Sequence, residues 1–395
     1  MYLPKRENEE EKMIYFIFWG LLYLCAVIDS GTDKKLQPIN HFAVYSFIFS
    51  YFLILAGFRY KTGYDWQNYM PFFDQINDPT MFKKMDVGYA WLNYFFKNTC
   101  NSYSVMIFVV ALLCTWGLFK FNNNYSPYPL VSLFIYGTQF FLSYNMGLYR
   151  QSIAMTISLL TFHFLICKKN KYAILCCFIS FLFHKSAIIT LLYFICNKIK
   201  LSRKSRLVLL FVSLIIDLFG ISIINEIVTL FFSLSFLPKS FQYYSSYLTT
   251  MWAAQAQYST GLGMLIRFSL LLIVFFLKEN DSRITNFVFN LVIIGCFIRA
   301  FGRNIPIITR LSNYFSMYEM IFYTYIIIIC KKYTKQYFHI TICSIFLLYF
   351  FLNPLSLVTK KGVDGKNNWF MFNPWHSTIF KIEETERNSQ MRSFL

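Results

Sequence analysis

Charge is scarce in this chain. Only 14% of its 395 residues are Asp, Glu, Lys or Arg, against about 25% in a soluble domain. No polar block is long enough to fold alone, which excludes a water-soluble globular class. Several chemical signatures are also missing. There is no GxxxxGK[ST], so no ATP-driven machine of the P-loop kind. There is no HExxH or other paired metal motif, and no GxSxG nucleophile elbow. The ten Cys form no CxxC pair. They lie mostly inside apolar runs (Cys176, Cys177, Cys296, Cys343) and read as small hydrophobes. No small-residue cleavage site follows the first apolar run, so it reads as a retained span and not a signal peptide. No strong internal repeat of the transporter kind is visible.

What is present is apolar: 56% of the residues are hydrophobic, in continuous runs from end to end. Such runs predict an all-α polytopic integral membrane protein. A transmembrane β-barrel would alternate with period two, and these runs do not. Spans are predicted at 13–29, 41–58, 103–119, 129–143, 150–167, 172–184, 186–197, 207–224, 261–277, 284–301, 309–330 and 338–352. That is about 11–12 transmembrane helices in one domain over 1–395, with two longer segments at about 59–102 and 225–258 and a tail at about 353–395.

The net charge of +18 would suit nucleic acid in another setting. Here the Lys and Arg residues sit mostly in short loops between apolar runs, as positive-inside orientation requires, so nucleic acid is not an expected partner. Residues 172–197 could be one tilted helix or a hairpin. Lys168, Lys169 and Lys171 precede the stretch, and Lys198, Lys200, Arg203, Lys204 and Arg206 follow it. Both clusters favour the cytoplasm, which selects a hairpin with His184 at its outer tip. Parity then puts 57–69, Asn145 to Arg150, the His184 tip, 225–258 and Arg299 to Arg310 on the outer face.

The outer segments are aromatic. Gly88 to Phe96 is amphipathic and suited to an interface. Phe241 to Tyr247 and Trp252 read as belt anchors or as platforms for sugar rings. Gly57 to Tyr69 packs Arg59, Lys61 and Asp65 directly behind an apolar run. Outer cations recur: Arg59, Lys61, Arg150, Lys185, Arg299, Arg303 and Arg310. Snorkelling explains any one of them. The set is harder to explain that way, and it suits a bidentate anion such as a lipid diphosphate. His184 is either a half-buried neutral imidazole, or a proton acceptor or phosphate contact. Asp65 is either an ion-pair partner of Arg59 or Lys61, or a general base or sugar-hydroxyl acceptor. Asp74, Asp78 and Asp86 read as an ordinary polar loop.

Four motifs occur in order. They are Arg59-Tyr60-x-x-Gly63-x-Asp65-x-x-x-Tyr69, Tyr149-Arg150-Gln151-Ser152-Ile153-Ala154, Phe183-His184-Lys185-Ser186-Ala187 and Arg310-x-x-x-Tyr314-Phe315. Together they resemble the signature of the EpsG-like family, integral membrane proteins of bacterial surface-polysaccharide clusters that include Wzy-type O-antigen polymerases. Asn373-Pro374-Trp375 looks like the family's late Pro-aromatic element, with Trp where Tyr is expected.

The resemblance implies block polymerisation at the periplasmic face of the inner membrane. A growing glycan passes from undecaprenyl diphosphate to a lipid-linked repeat unit, with no nucleotide sugar, metal or other cofactor. The implied partners are undecaprenyl-diphosphate-linked oligosaccharide, membrane lipid and a chain-length regulator protein. Catalytic roles are expected for His184, Asp65 and Arg150, and substrate contacts for Arg59, Tyr69, Gln151, Lys185, Arg299, Arg303, Arg310 and Tyr314. A lipid-linked oligosaccharide flippase would also need cations, but at mid-membrane and in a two-halved pattern. A ligase-like enzyme shares the donor chemistry. A non-enzymatic assembly protein leaves the Arg–His set unexplained.

Overall fold

The computed structural model describes residues 7–31, 38–63, 65–219, 230, 271, 273–276, 282–301, 306–333 and 336–359. Every regular element among them is helical, as a chain must be where no water can satisfy its backbone. The protein is an all-α polytopic membrane protein. In order the elements are α1 (Glu7–Gly31), α2 (Pro38–Gly57), α3 (Trp66–Asp74), a 3₁₀ turn (Pro79–Lys83), α4 (Val87–Thr99), α5 (Tyr103–Tyr125) and α6 (Pro129–Gln139). A π turn (Phe141–Gly147), α7 (Tyr149–Ile166), α8 (Asn170–Phe183), a second 3₁₀ segment (Lys185–Leu191), α9 (Leu192–Lys198) and α10 (Arg203–Phe219) follow. Last come α11 (Arg283–Phe301), α12 (Pro306–Ser316), α13 (Glu319–Phe322), α14 (Tyr325–Tyr333) and α15 (Gln336–Thr359). The segment 225–258 (Leu230 apart), Arg303 and the tail beyond 359 lie outside the described residues.

Three described helices are long and apolar enough to cross a bilayer unaided: Ile14–Gly31, Tyr103–Tyr125 and Arg283–Phe301. Other predicted crossings are built from shorter pieces. Residues 129–143 become α6 and the π turn, in which Leu148 N–H reaches back five residues to Ser143 O. The predicted helix 309–330 is broken into α12, α13 and α14. Its hydroxyls explain the breaks. Ser312, Ser316 and Thr324 bond carbonyls three or four residues back, a pattern that bends helices. The N–H groups of Tyr318, Ile321 and Thr324 each reach only three residues back.

The stretch 172–197 is a hairpin. Ser180 Oγ donates to Ala154 O at 2.7 Å, so α8 runs back along α7. Arg283 then ties both far ends together. It donates to Leu165 O at 2.9 Å, Ile166 O at 3.2 Å and Asn197 Oδ1 at 3.4 Å. The Lys168–Lys171 and Lys198–Arg206 clusters therefore share one end of the bundle, and His184 stands at the other. Asn290 holds the returning arm, donating at 2.8 Å to Cys196 O and Ile199 O.

Residues 59–102 form a helical cap with its own small core of Tyr69, Phe72, Phe73, Ile76, Met81, Tyr89 and Ala90, closed by Met106, Ile107 and Tyr149. In α4, Tyr89, Ala90 and Asn93 turn inward, and Val87, Trp91 and Phe95 face outward. The cap leaves α2 through a tight loop. Gly63 has φ +104°, and a Cβ there would lie 2.1 Å from Met146 O. Only glycine satisfies both the backbone angle and the contact.

Gly63→Ala is therefore expected to destabilise the protein by at least about 1–3 kcal/mol, the cost of a strained backbone before the clash is counted. Thermal unfolding in detergent measures it; an unchanged midpoint would refute this account of the loop.

Candidate functional site

The end of the bundle that carries His184 also carries the cap, the π turn, the start of α7 and α12. Their cations fall into two groups. Arg59 is 4% exposed and bonds to the scaffold through two of its nitrogens. Its Nη1 donates to Ala56 O at 2.5 Å and Asn145 O at 2.6 Å, and its Nε donates to Tyr149 Oη at 3.1 Å. Its guanidinium also lies 4.1 Å from the centre of the Tyr149 ring. Arg299 is engaged too, donating to Ser316 Oγ and, at 2.8 Å, to Glu319 Oε1.

Arg150 is held on two nitrogens and open on the third. Nη1 donates to Asp86 Oδ2 at 2.8 Å, and Nε donates to Tyr69 Oη at 3.4 Å. No hydrogen bond from Nη2 is found among the described residues, and the side chain keeps 24% of its surface exposed. The Tyr69 phenol donates in turn to Asp65 Oδ2 at 3.0 Å. Burial, and then the Asp65 charge, push the Tyr69 phenol up, so it stays a donor at neutral pH. Asp65 also starts α3, its carbonyl accepting from Asn68 and Tyr69 N–H. Asp65, Tyr69, Arg150 and Asp86 thus form one polar ladder.

The hairpin tip supplies the imidazole. His184 ends α8 in extended backbone, φ −155° and ψ 119°, and belongs to neither arm. Its Nδ1 meets Ser186 Oγ at 2.5 Å, and that hydroxyl donates to Tyr314 Oη at 3.3 Å. Burial, with Arg150 and then Arg310 adding positive charge, pushes its pKa down. The resting imidazole is neutral, and an anion between those two arginines would raise its basicity. Arg310 is exposed, and no hydrogen bond or ion pair to its guanidinium is found among the described residues. Its backbone carbonyl accepts from buried Gln151 Nε2 at 3.0 Å, which pins α12 to α7. Lys185 is exposed at the tip.

The structure therefore brings Asp65, Tyr69, Arg150, His184, Lys185, Arg310 and Tyr314 to one end, with Gln151 as a strut beneath. Arg59 braces that region from inside, and Arg299 pairs with Glu319 through Nη2. Two participants are absent from the sequence reading. Asp86, read as ordinary loop, is 8% exposed and pairs with Arg150. Burial pushes its carboxyl up, against the pull of Arg150 and then Lys185. Glu319 is likewise 8% exposed beside Arg299. The signal available for Asp86 was its place just before an amphipathic helix. Nothing local marked its partner 64 positions on.

A family model described as the EpsG family matches residues 42–370 of the chain. No curated protein and no solved structure matches it.

The two kinds of arginine separate by stability. Arg59→Ala removes charge-assisted hydrogen bonds, each worth about 1.5–3 kcal/mol, and should lower the thermal midpoint by several degrees. Arg310→Ala should stay within about 0.5 kcal/mol of the parent, as exposed positions do. Unfolding in detergent checks both, and equal losses would contradict this division.

Proposed function

The chain belongs to the EpsG family, membrane proteins of polysaccharide biosynthesis, and from that premise we propose that it is the polymerase of a lipid-linked glycan. The substrate is an oligosaccharide on undecaprenyl diphosphate at the periplasmic face of the inner membrane. A hydroxyl at the non-reducing end of one lipid-linked unit attacks the anomeric carbon of the growing chain. The new glycosidic bond forms as the bond to the diphosphate breaks, and undecaprenyl diphosphate leaves with the electron pair.

One observation carries the reading: Arg150 with an open nitrogen, Arg310 without a partner among the described residues, Lys185 and a neutral His184 share one end of the bundle. Cations held in place stabilise charge developing on a leaving diphosphate with little reorganisation. His184 takes the proton of the attacking hydroxyl, and the arriving diphosphate strengthens it as a base. Asp65 reaches Arg150 only through Tyr69, so its part is to set the phenol. Tyr314 and Ser186 fix the imidazole. Arg59 and Arg299 serve the scaffold.

Arg150→Ala and His184→Ala should each give a membrane-inserted protein and surface glycan of one repeat unit, where the parent gives a ladder on a gel. Full-length ladders from both variants would sink these assignments. Deleting the gene decides the reaction class: one-unit glycan means polymerase, unattached polymer means ligase, and no glycan means flippase.

A further inference from the structure

Among the described residues, Asp86 is the one carboxylate in direct contact with Arg150, at 2.8 Å. It precedes α4 in the cap, whereas Arg150 opens α7 and Lys185 sits on the hairpin tip. The Asp86 carboxylate faces the Lys185 backbone N–H and ammonium as well as Arg150. At Gly88, two residues on, the cap backbone runs close to the end of α8, where a Cβ would lie 3.0 Å from Leu182 O. Three separate elements thus meet at this side chain. The contact also determines which edge of the guanidinium is left free. With Nη1 on Asp86 and Nε on Tyr69, the Nη2 edge and the second Nη1 N–H remain for a ligand.

A negative charge beside an anion site needs a reason, since charge counting makes it unfavourable to ligand binding. We infer that Asp86 is a positioning residue of the anion site, holding the Arg150 guanidinium and the hairpin tip in the register that lets both face one diphosphate. This rests on Arg150 being a diphosphate ligand. An unheld guanidinium would lose orientation on its flexible stem, and a planar donor gives bidentate contact only when oriented.

The two ideas give opposite signs. If Asp86 merely reduces positive charge, removing it tightens anion binding. If it positions Arg150, removing it weakens binding although the site becomes more positive. The test is titration of the full chain in lipid nanodiscs with farnesyl diphosphate, a soluble isoprenyl diphosphate. Variants are Asp86→Asn, Asp86→Ala, Arg150→Ala and the exchange Asp86→Arg with Arg150→Asp, each with its unfolding midpoint.

Asp86→Ala should bind about tenfold or more weakly, as expected for a lost charge-assisted contact. Asp86→Asn, near-isosteric and able to keep one acceptor, should fall between it and the parent even where its midpoint is unchanged. The exchange should recover the midpoint without recovering affinity, because the guanidinium then stands on the wrong side. Unchanged or tighter binding in Asp86→Asn and Asp86→Ala overturns the inference, as does recovery of affinity by the exchange. Parent-like binding in Arg150→Ala removes the diphosphate reading of the site itself, and the inference with it.

Discussion

A guanidinium buried at the end of an apolar helix must find acceptors, because it cannot shed its charge. Arg59 finds them on two separate segments. Ala56 O is one of the carbonyls that α2 leaves open at its C-terminus. Asn145 O belongs to the π turn. The Tyr149 ring beneath the cation completes the set. One side chain thereby fixes the end of α2, the turn after α6 and the first residue of α7. Arg150 is the next residue along, so its placement follows from a neighbour with no need to touch a ligand. Gly63 belongs to the same constraint, since the loop leaving Arg59 must pass against Met146 O.

The same reasoning divides the remaining cations. A charged group in low dielectric is costly unless paired. Arg299 is paired with Glu319 between α11 and α13, and such a residue contributes to the integrity of the bundle. Arg150 is paired with Asp86 from the cap, and Arg310 sits exposed where water or a ligand can solvate it. The sequence alone shows seven outer cations of one kind. The fold separates them by burial, from Arg59 inside the bundle to Arg310 exposed at its end.

Much of the architecture was legible beforehand because it depends on local composition. Apolar runs marked the crossings, and two flanking basic clusters were enough to bend 172–197 into a hairpin, which the Arg283 bonds to Leu165, Ile166 and Asn197 bear out. The grouping of Arg150, His184 and Arg310 at one end followed from parity. The breaks in 309–330 were hidden, because Ser312, Ser316 and Thr324 are unremarkable in an apolar run until their hydroxyls bond backwards. Asp86 and Glu319 were hidden for a different reason. A pairing between residues far apart in sequence leaves no period and no spacing, and a carboxylate in a polar loop looks the same whether it faces water or an arginine.

The helix lengths bear on how deep Arg150 sits. Gly117 of α5 meets Thr156 of α7, where a Cβ would lie 2.6 Å from the threonine methyl. From that crossing α7 runs back to Tyr149 and α5 runs on to Tyr103. At 1.5 Å per residue, α5 continues roughly 10 Å past the level of Tyr149. Arg150 and the hairpin tip therefore lie below the end of α5, and the cap folds over them from the side, with Tyr69 and Asp86 in contact with Arg150. Partial burial at Arg150 strengthens each Coulomb contact it makes, while Lys185 and Arg310 stay exposed at the rim. Burial equally raises the cost of any cation left alone, so an arginine there needs an acceptor of its own before a ligand arrives. Asp86 meets that need from the cap, and the site and its cover are thereby built as one unit.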